Sequence, residues 1–235
     1  MKEEIKSALL FLKSEEKAKL KSRYYKGKEG EYGAGDTYIG LSNPEVQAIC
    51  KEYREKLTVY DLTTLIQDPI HEFRFAALTI LVWKYKKAKT WEEKTEIVDF
   101  YLKNINYINN WDLVDCSCHF ILGPYYFDKK EYSVLLKLAK SEHLWSERIA
   151  VISSLYFIRN GYYTFTFEVV TLLLEHKHDL IHKANGWMLR EIWKREGKEE
   201  VEDFIKTNIR KMPRTTLRYT IEKMEEVERK QFLNL

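Results

Sequence analysis

Apolar residues recur at helical spacing along almost the whole chain, and no other feature of the sequence restricts the fold as strongly. The spacing predicts helices over residues 45–56, 70–86, 91–102, 111–122, 129–141, 145–160, 165–176, 181–196, 201–208 and 213–227. The 9 glycines and 4 prolines in 235 residues are too few for a turn-rich β fold. Asn43-Pro44 places a cap residue ahead of a proline at the first helical position. Gly161 and Gly197 sit where helices should stop. Residues 26–40 (KGKEGEYGAGDTYIG) are the one long loop to expect.

The helices repeat. Similar segments begin near Glu72 (EFRFAALTILVWKY), Ser146 (SERIAVISSLYFIRNG) and Leu180 (LIHKANGWMLREIWKREG). Each carries a basic residue ahead of a run of small and apolar residues: Arg74, Arg148 and Lys183, with Arg214 in a weaker fourth copy. Between the first two lies INNWDLVDCSCHFILG. Offsets of about 36 residues suit a two-helix HEAT-like unit. Such a unit cannot bury its apolar face alone, so units must stack. The expected fold is all-α: one HEAT-like domain over 1–235, an α-solenoid whose concave face is lined by the helices of Arg74, Trp111, Arg148 and Trp187.

Trp111 and Asp115 are four residues apart and share a helix face; Trp187 and Arg190, three apart, do the same. Cys50, Cys116 and Cys118 cannot all pair and read as free thiols. Cys116, Cys118 and His119 on a continuous helix point in divergent directions, so no metal site is expected there. His176, His178 and His182 read as solvent-facing. No stretch approaches the ~20 apolar residues of a membrane span, and the N-terminal segment lacks the apolar core of a signal peptide. A cytoplasmic protein without a membrane partner is the expectation. A net charge of +3 is no nucleic-acid signature by itself; clustering of the basic groups decides that.

The segments NWDLVDC (110–116), LWSERIA (144–150) and ANGWMLRE (184–191), supported by HEFRFAALTILVWKYKK (71–87) and YIGLSNPE (38–45), resemble the HEAT-like alkylpurine DNA glycosylases, DNA alkylation repair proteins of the AlkD type. The resemblance covers residues 24–228. It implies hydrolysis of the N-glycosidic bond of N7- or N3-alkylated purines, such as 7-methylguanine and 3-methyladenine, in duplex DNA. It also implies base-excision repair without a cofactor or metal, by a monomer. By position it implies Asp115 as the catalytic acid, flanked by Trp111 and Trp187. Arg148, Arg190 and Tyr24 become DNA contacts, with Tyr25 competing for the place of Tyr24. The repeat register adds Arg74 and Lys183 to the DNA-contacting cations. Two departures from the family pattern stand out: a longer glycine-rich loop at 26–40, and Tyr156, with Arg159 nearby, where a basic phosphate contact is usual.

The residue types suit that chemistry. An alkylated purine is cationic and leaves readily, so the developing charge sits on the sugar. One carboxylate can stabilise that charge and orient water. Indole faces attract a cationic base by roughly 0.5–2 kcal/mol each. Two other readings remain open at this level: a HEAT module that binds nucleic acid without cleaving it, and a protein-binding scaffold.

Overall fold

Helices account for every regular element in the computed structural model, which describes residues 2–235; the one β pairing among them is an isolated parallel bridge between Thr37 and Ile70. Contacts divide the chain into two compact units, the first ending at Ile121 and the second spanning Leu122–Leu235. No helix among the described residues is long and apolar enough to cross a membrane.

The first unit contains α1 (Lys2–Phe11), α2 (Glu15–Tyr24), α3 (Asn43–Tyr53), α4 (Thr63–Ile66), α5 (His71–Lys87), α6 (Trp91–Lys103) and α7 (Trp111–Asp115); α8 (Cys118–Asp128) crosses the division. The cap of α3 is Ser42, one residue before the expected Asn43. Its hydroxyl faces the Glu45 amide at 3.5 Å, and the Glu45 carboxylate accepts the Ser42 amide at 2.7 Å. Most of α5 is buried, including His71, Glu72 and Arg74 in its first turn. Charges there must find partners inside the protein.

The expected helix over 111–122 is instead two helices. Ser117 gives its hydroxyl proton to the Leu113 carbonyl at 2.5 Å, and the buried Tyr101 hydroxyl donates to Ser117 at 2.9 Å. A side chain thus takes a carbonyl the next helical turn would use, and the helix restarts at Cys118. It then continues through Pro124 to Asp128, beyond the expected end.

The second unit adds α9 (Ser133–Ala139), α10 (Leu144–Arg159), α11 (Thr164–Leu172), α12 (Asp179–Trp193), α13 (Lys198–Asn208), α14 (Arg214–Thr220) and α15 (Glu226–Leu233). The first residues of α10, α12 and α14 are spaced 35 apart, close to the expected repeat, and α10 packs on α12 as α12 packs on α14. At the end of α10, Gly161 has φ +73°; its amide bonds to Ile158 O and that of Tyr162 to Phe157 O, closing the helix in a Schellman motif. Gly197 starts α13 rather than merely ending α12, and a Cβ there would lie 2.3 Å from Ile192 Cγ2. The expected helix over 213–227 breaks into α14 and α15. His176 and His178 are not simply solvent-facing: His176 Nε2 meets the buried Glu147 carboxylate at 3.1 Å, and His178 caps α12 by accepting the Leu180 amide.

Candidate functional site

The single turn of α7 puts Trp111 at its head and Asp115 at its end, one above the other, both partly exposed. Asn110 opens the turn by accepting the Trp111 amide at 2.9 Å. The Trp111 indole meets the Tyr24 ring edge-on at 5.7 Å and the Tyr25 ring at 5.5 Å. Tyr24 is 64% exposed and Tyr25 5%, so Tyr24 offers its ring to solvent while Tyr25 forms the floor of the cluster. Beside Asp115, desolvation of the sulfur and the Asp112 and Asp115 carboxylates push the Cys116 thiol up to about 12. A neutral thiol therefore neighbours the acid at physiological pH.

Beneath this cluster lies a buried polar network that sequence reasoning missed. His71, at the start of α5, turns Nε2 to Asp112 Oδ2 at 2.9 Å and Nδ1 to Asp36 Oδ2 at 3.2 Å. Arg74 pairs with Asp36 at 2.5 Å, and Asn109 donates to the other Asp36 oxygen at 3.0 Å. The rings of Tyr25 and Tyr38 flank the imidazole at 4.8 and 5.2 Å. Burial raises the Asp36 carboxyl, but the bond from His71, the Arg74 charge and the Asn109 amide outweigh it and hold it below its ordinary range. Glu72 accepts the amides of Ile39 and Gly40 at 3.1 and 3.0 Å and pairs with Lys21 at 3.2 Å. The loop over 26–40 is thus pinned to the head of α5 at Asp36, Thr37, Ile39 and Gly40. The available signal was the polar pair His71-Glu72 heading an otherwise apolar helix. Their partners lie 32–51 residues away, which no local pattern reveals.

Arg74 is a correction to the expected DNA-contacting set. It is 4% exposed, its guanidinium pairs with Asp36 and it donates to the Asp68 carbonyl at 3.1 Å. Its charge neutralises a buried carboxylate rather than facing a ligand. Although Asp36, His71 and Asp112 converge, no group of three or more His, Cys, Asp or Glu among the described residues could hold a metal ion.

In the second unit, α12 carries Lys183, Trp187 and Arg190, all partly exposed. Lys183 pairs with Asp179 at 2.6 Å, and Arg190 pairs with Glu222. Arg148 on α10 is 5% exposed and donates to the Leu180 carbonyl at 2.5 Å, tying α10 to the first turn of α12. Gly186 sets the approach of α12 to α14: a Cβ there would lie 2.5 Å from Tyr219 Cβ and 2.6 Å from Thr216 O.

The structure therefore gathers Tyr24, Trp111 and Asp115 in the first unit, and Arg148, Lys183, Trp187 and Arg190 on two packed helices of the second. The family described as DNA alkylation repair enzyme matches residues 5–224. Among solved structures, one described as a predicted DNA alkylation repair enzyme from Enterococcus faecalis is similar in fold, with TM-score 0.69 and 19% identity, covering 91% of this chain and 97% of that one. No curated protein matches the sequence.

Proposed function

The chain belongs to the DNA alkylation repair enzyme family, and from that premise we infer that it is a DNA glycosylase acting on cationic N7- and N3-alkylated purines, 7-methylguanine and 3-methyladenine among them, in duplex DNA. The observation that carries this reading is the turn of α7, which presents one partly exposed carboxylate, Asp115, on the same face as an indole walled by Tyr24 and Tyr25.

In the proposed reaction the C1′–N bond breaks and its electron pair leaves with the purine, which becomes neutral. The positive charge passes to the sugar, where the Asp115 carboxylate stabilises it. Water then adds at C1′ and loses a proton to Asp115 or solvent, leaving an abasic site. A cationic leaving group needs no protonation, so one acid serves where glycoside hydrolysis ordinarily uses two. Trp111 and, through the resemblance, Trp187 favour the charged lesion over a neutral base. Lys183, Arg190 and Tyr24 are assigned to the DNA backbone by the same likeness and by the repeat register, whereas Arg148, as buried as Arg74 and bonded to the Leu180 carbonyl, is assigned to holding α12 against α10. Backbone contacts would fix position without reading sequence.

Asp115→Asn tests the assignment. Release of 7-methylguanine from methylated duplex, followed by mass spectrometry, should fall by about 10² or more, with duplex affinity retained. Release at the wild-type rate removes Asp115 from the mechanism. A wild-type protein that binds duplex but frees no base points to a non-catalytic DNA-binding module.

A further inference from the structure

Within that reading, we propose that His71 is a positioning residue for the reaction: a two-sided clamp that holds the Trp111–Asp115 turn to the loop over 26–40 and thereby fixes the acid, Trp111 and the adjoining Tyr24 ring in one arrangement. The clamp rests on the glycosylase reading only for its catalytic consequence; its geometry stands without it.

Both ring nitrogens of the fully buried His71 face carboxylate oxygens, Asp112 at 2.9 Å and Asp36 at 3.2 Å. A carboxylate only accepts, so both bonds form only when both nitrogens carry protons. The ring is then an imidazolium. With Arg74 it balances Asp36 and Asp112, two positive charges against two negative in one buried cluster. Lys21 and Glu72 form a second balanced pair beside it, and Tyr25 and Tyr38 face the ring as neutral phenols, their hydroxyls raised well above the ordinary range chiefly by burial. Burial opposes the imidazolium, but Asp112 and Asp36 outweigh it, and the proton is held more tightly than on an ordinary histidine.

The clamp reaches the candidate site by short covalent paths. Asp112 follows Trp111 directly and precedes Asp115 by three residues, and its second oxygen accepts the Leu113 amide at 2.8 Å. Asp36 lies in the loop, and Asn109, two residues before Trp111, donates to it. Asn110 reaches the Tyr25 carbonyl at 3.4 Å. Gly33 approaches so closely that a Cβ would lie 2.3 Å from the Tyr25 carbonyl oxygen. Loss of the ring proton would set a nitrogen lone pair against one carboxylate and release one side of the clamp.

The test needs first only the wild-type protein. Nitrogen-15 NMR of the histidine rings against pH should show one imidazole with both nitrogens protonated above pH 6.5, and tryptic cleavage after Lys26 and Lys28 should rise as that ring deprotonates. A His71 ring that is already mostly neutral at pH 6.5 overturns the proposal. His71→Gln, and from the other side Asp36→Asn, should slow single-turnover release of 7-methylguanine by roughly tenfold or more with duplex affinity kept within about twofold. The wild-type rate should decline over the same pH range, and His71→Gln should lack that limb. A His71→Gln enzyme with the wild-type rate and pH profile overturns the positioning role. If the wild type frees no base at all, the glycosylase reading fails instead, and the NMR and proteolysis results still judge the clamp.

Discussion

Arg190 meets Glu222 in the free protein, and the pair is half solvated, with the glutamate side chain 47% exposed. The Lys223 ammonium and the Arg190 guanidinium both hold the Glu222 carboxyl below its ordinary range. If Arg190 serves a phosphate, the DNA must displace this carboxylate first. A solvated pair of this kind is worth up to about 1 kcal/mol, so Glu222→Gln should tighten binding to methylated duplex by up to about fivefold. Arg190→Ala should weaken binding and lower the slope of log affinity against log salt by about 0.9. Identical salt slopes in Arg190→Ala and wild type would remove Arg190 from the DNA contacts. Arg74 behaves in the opposite way: it neutralises Asp36 inside the first unit, so its loss should act through stability rather than through salt dependence.

Elements in this chain are held together at points where a side chain is missing as much as where one is present. A Cβ on Gly186 would lie 2.5 Å from Tyr219 Cβ and 2.6 Å from Thr216 O, and backbone cannot yield as a flexible side chain does. Gly186→Ala should therefore force α12 from α14 and cost about 1–3 kcal/mol, seen as a melting temperature lower by roughly 2–12 °C for a chain of this size. Because Trp187 is the next residue, base release should fall more than stability alone explains; an unshifted melting temperature would show that the helices can part freely. The repeat itself was legible because stacking imposes the apolar period on every helix, and the 35-residue spacing of α10, α12 and α14 follows it. What periodicity could not show were the side-chain events that override it. The Ser117 hydroxyl interrupts the helix over 111–122, and Ser42, with Glu45, displaces the expected cap. In the candidate site, the Trp111–Asp115 spacing is local and could be read directly. The His71 network joins three distant segments and exists only in the fold.

The whole molecule should unfold as one cooperative unit, since α8 (Cys118–Asp128) runs without interruption across the division between Ile121 and Leu122. Its pH dependence should then be that of one cooperative unit whose arms belong to different groups. On the acid side, Asp36, Asp179 and Glu191 are held below their ordinary values by their cationic and hydrogen-bonding partners. Their stabilisation is complete above those ordinary values, 3.8 for aspartate and 4.5 for glutamate, and is lost as pH falls through the lowered folded values. On the alkaline side, His71 is raised above 6.5, so its contribution is complete below 6.5 and declines as pH climbs through the raised value. Cys50, pushed up to about 12 by burial, and Cys116, pushed up to about 12 by desolvation of its sulfur and by the Asp112 and Asp115 carboxylates, add a separate loss that begins near their ordinary value of 9.0. Scanning calorimetry across pH should show a single transition whose midpoint is highest near 6.5, because burial of the His178 ring lowers its value and weakens the fold below that pH while the raised His71 ring weakens it above. It should fall on both sides, with the first alkaline step absent in His71→Gln and the step above 9 retained. If that variant keeps the full alkaline decline just above 6.5, a group other than the buried imidazolium governs it.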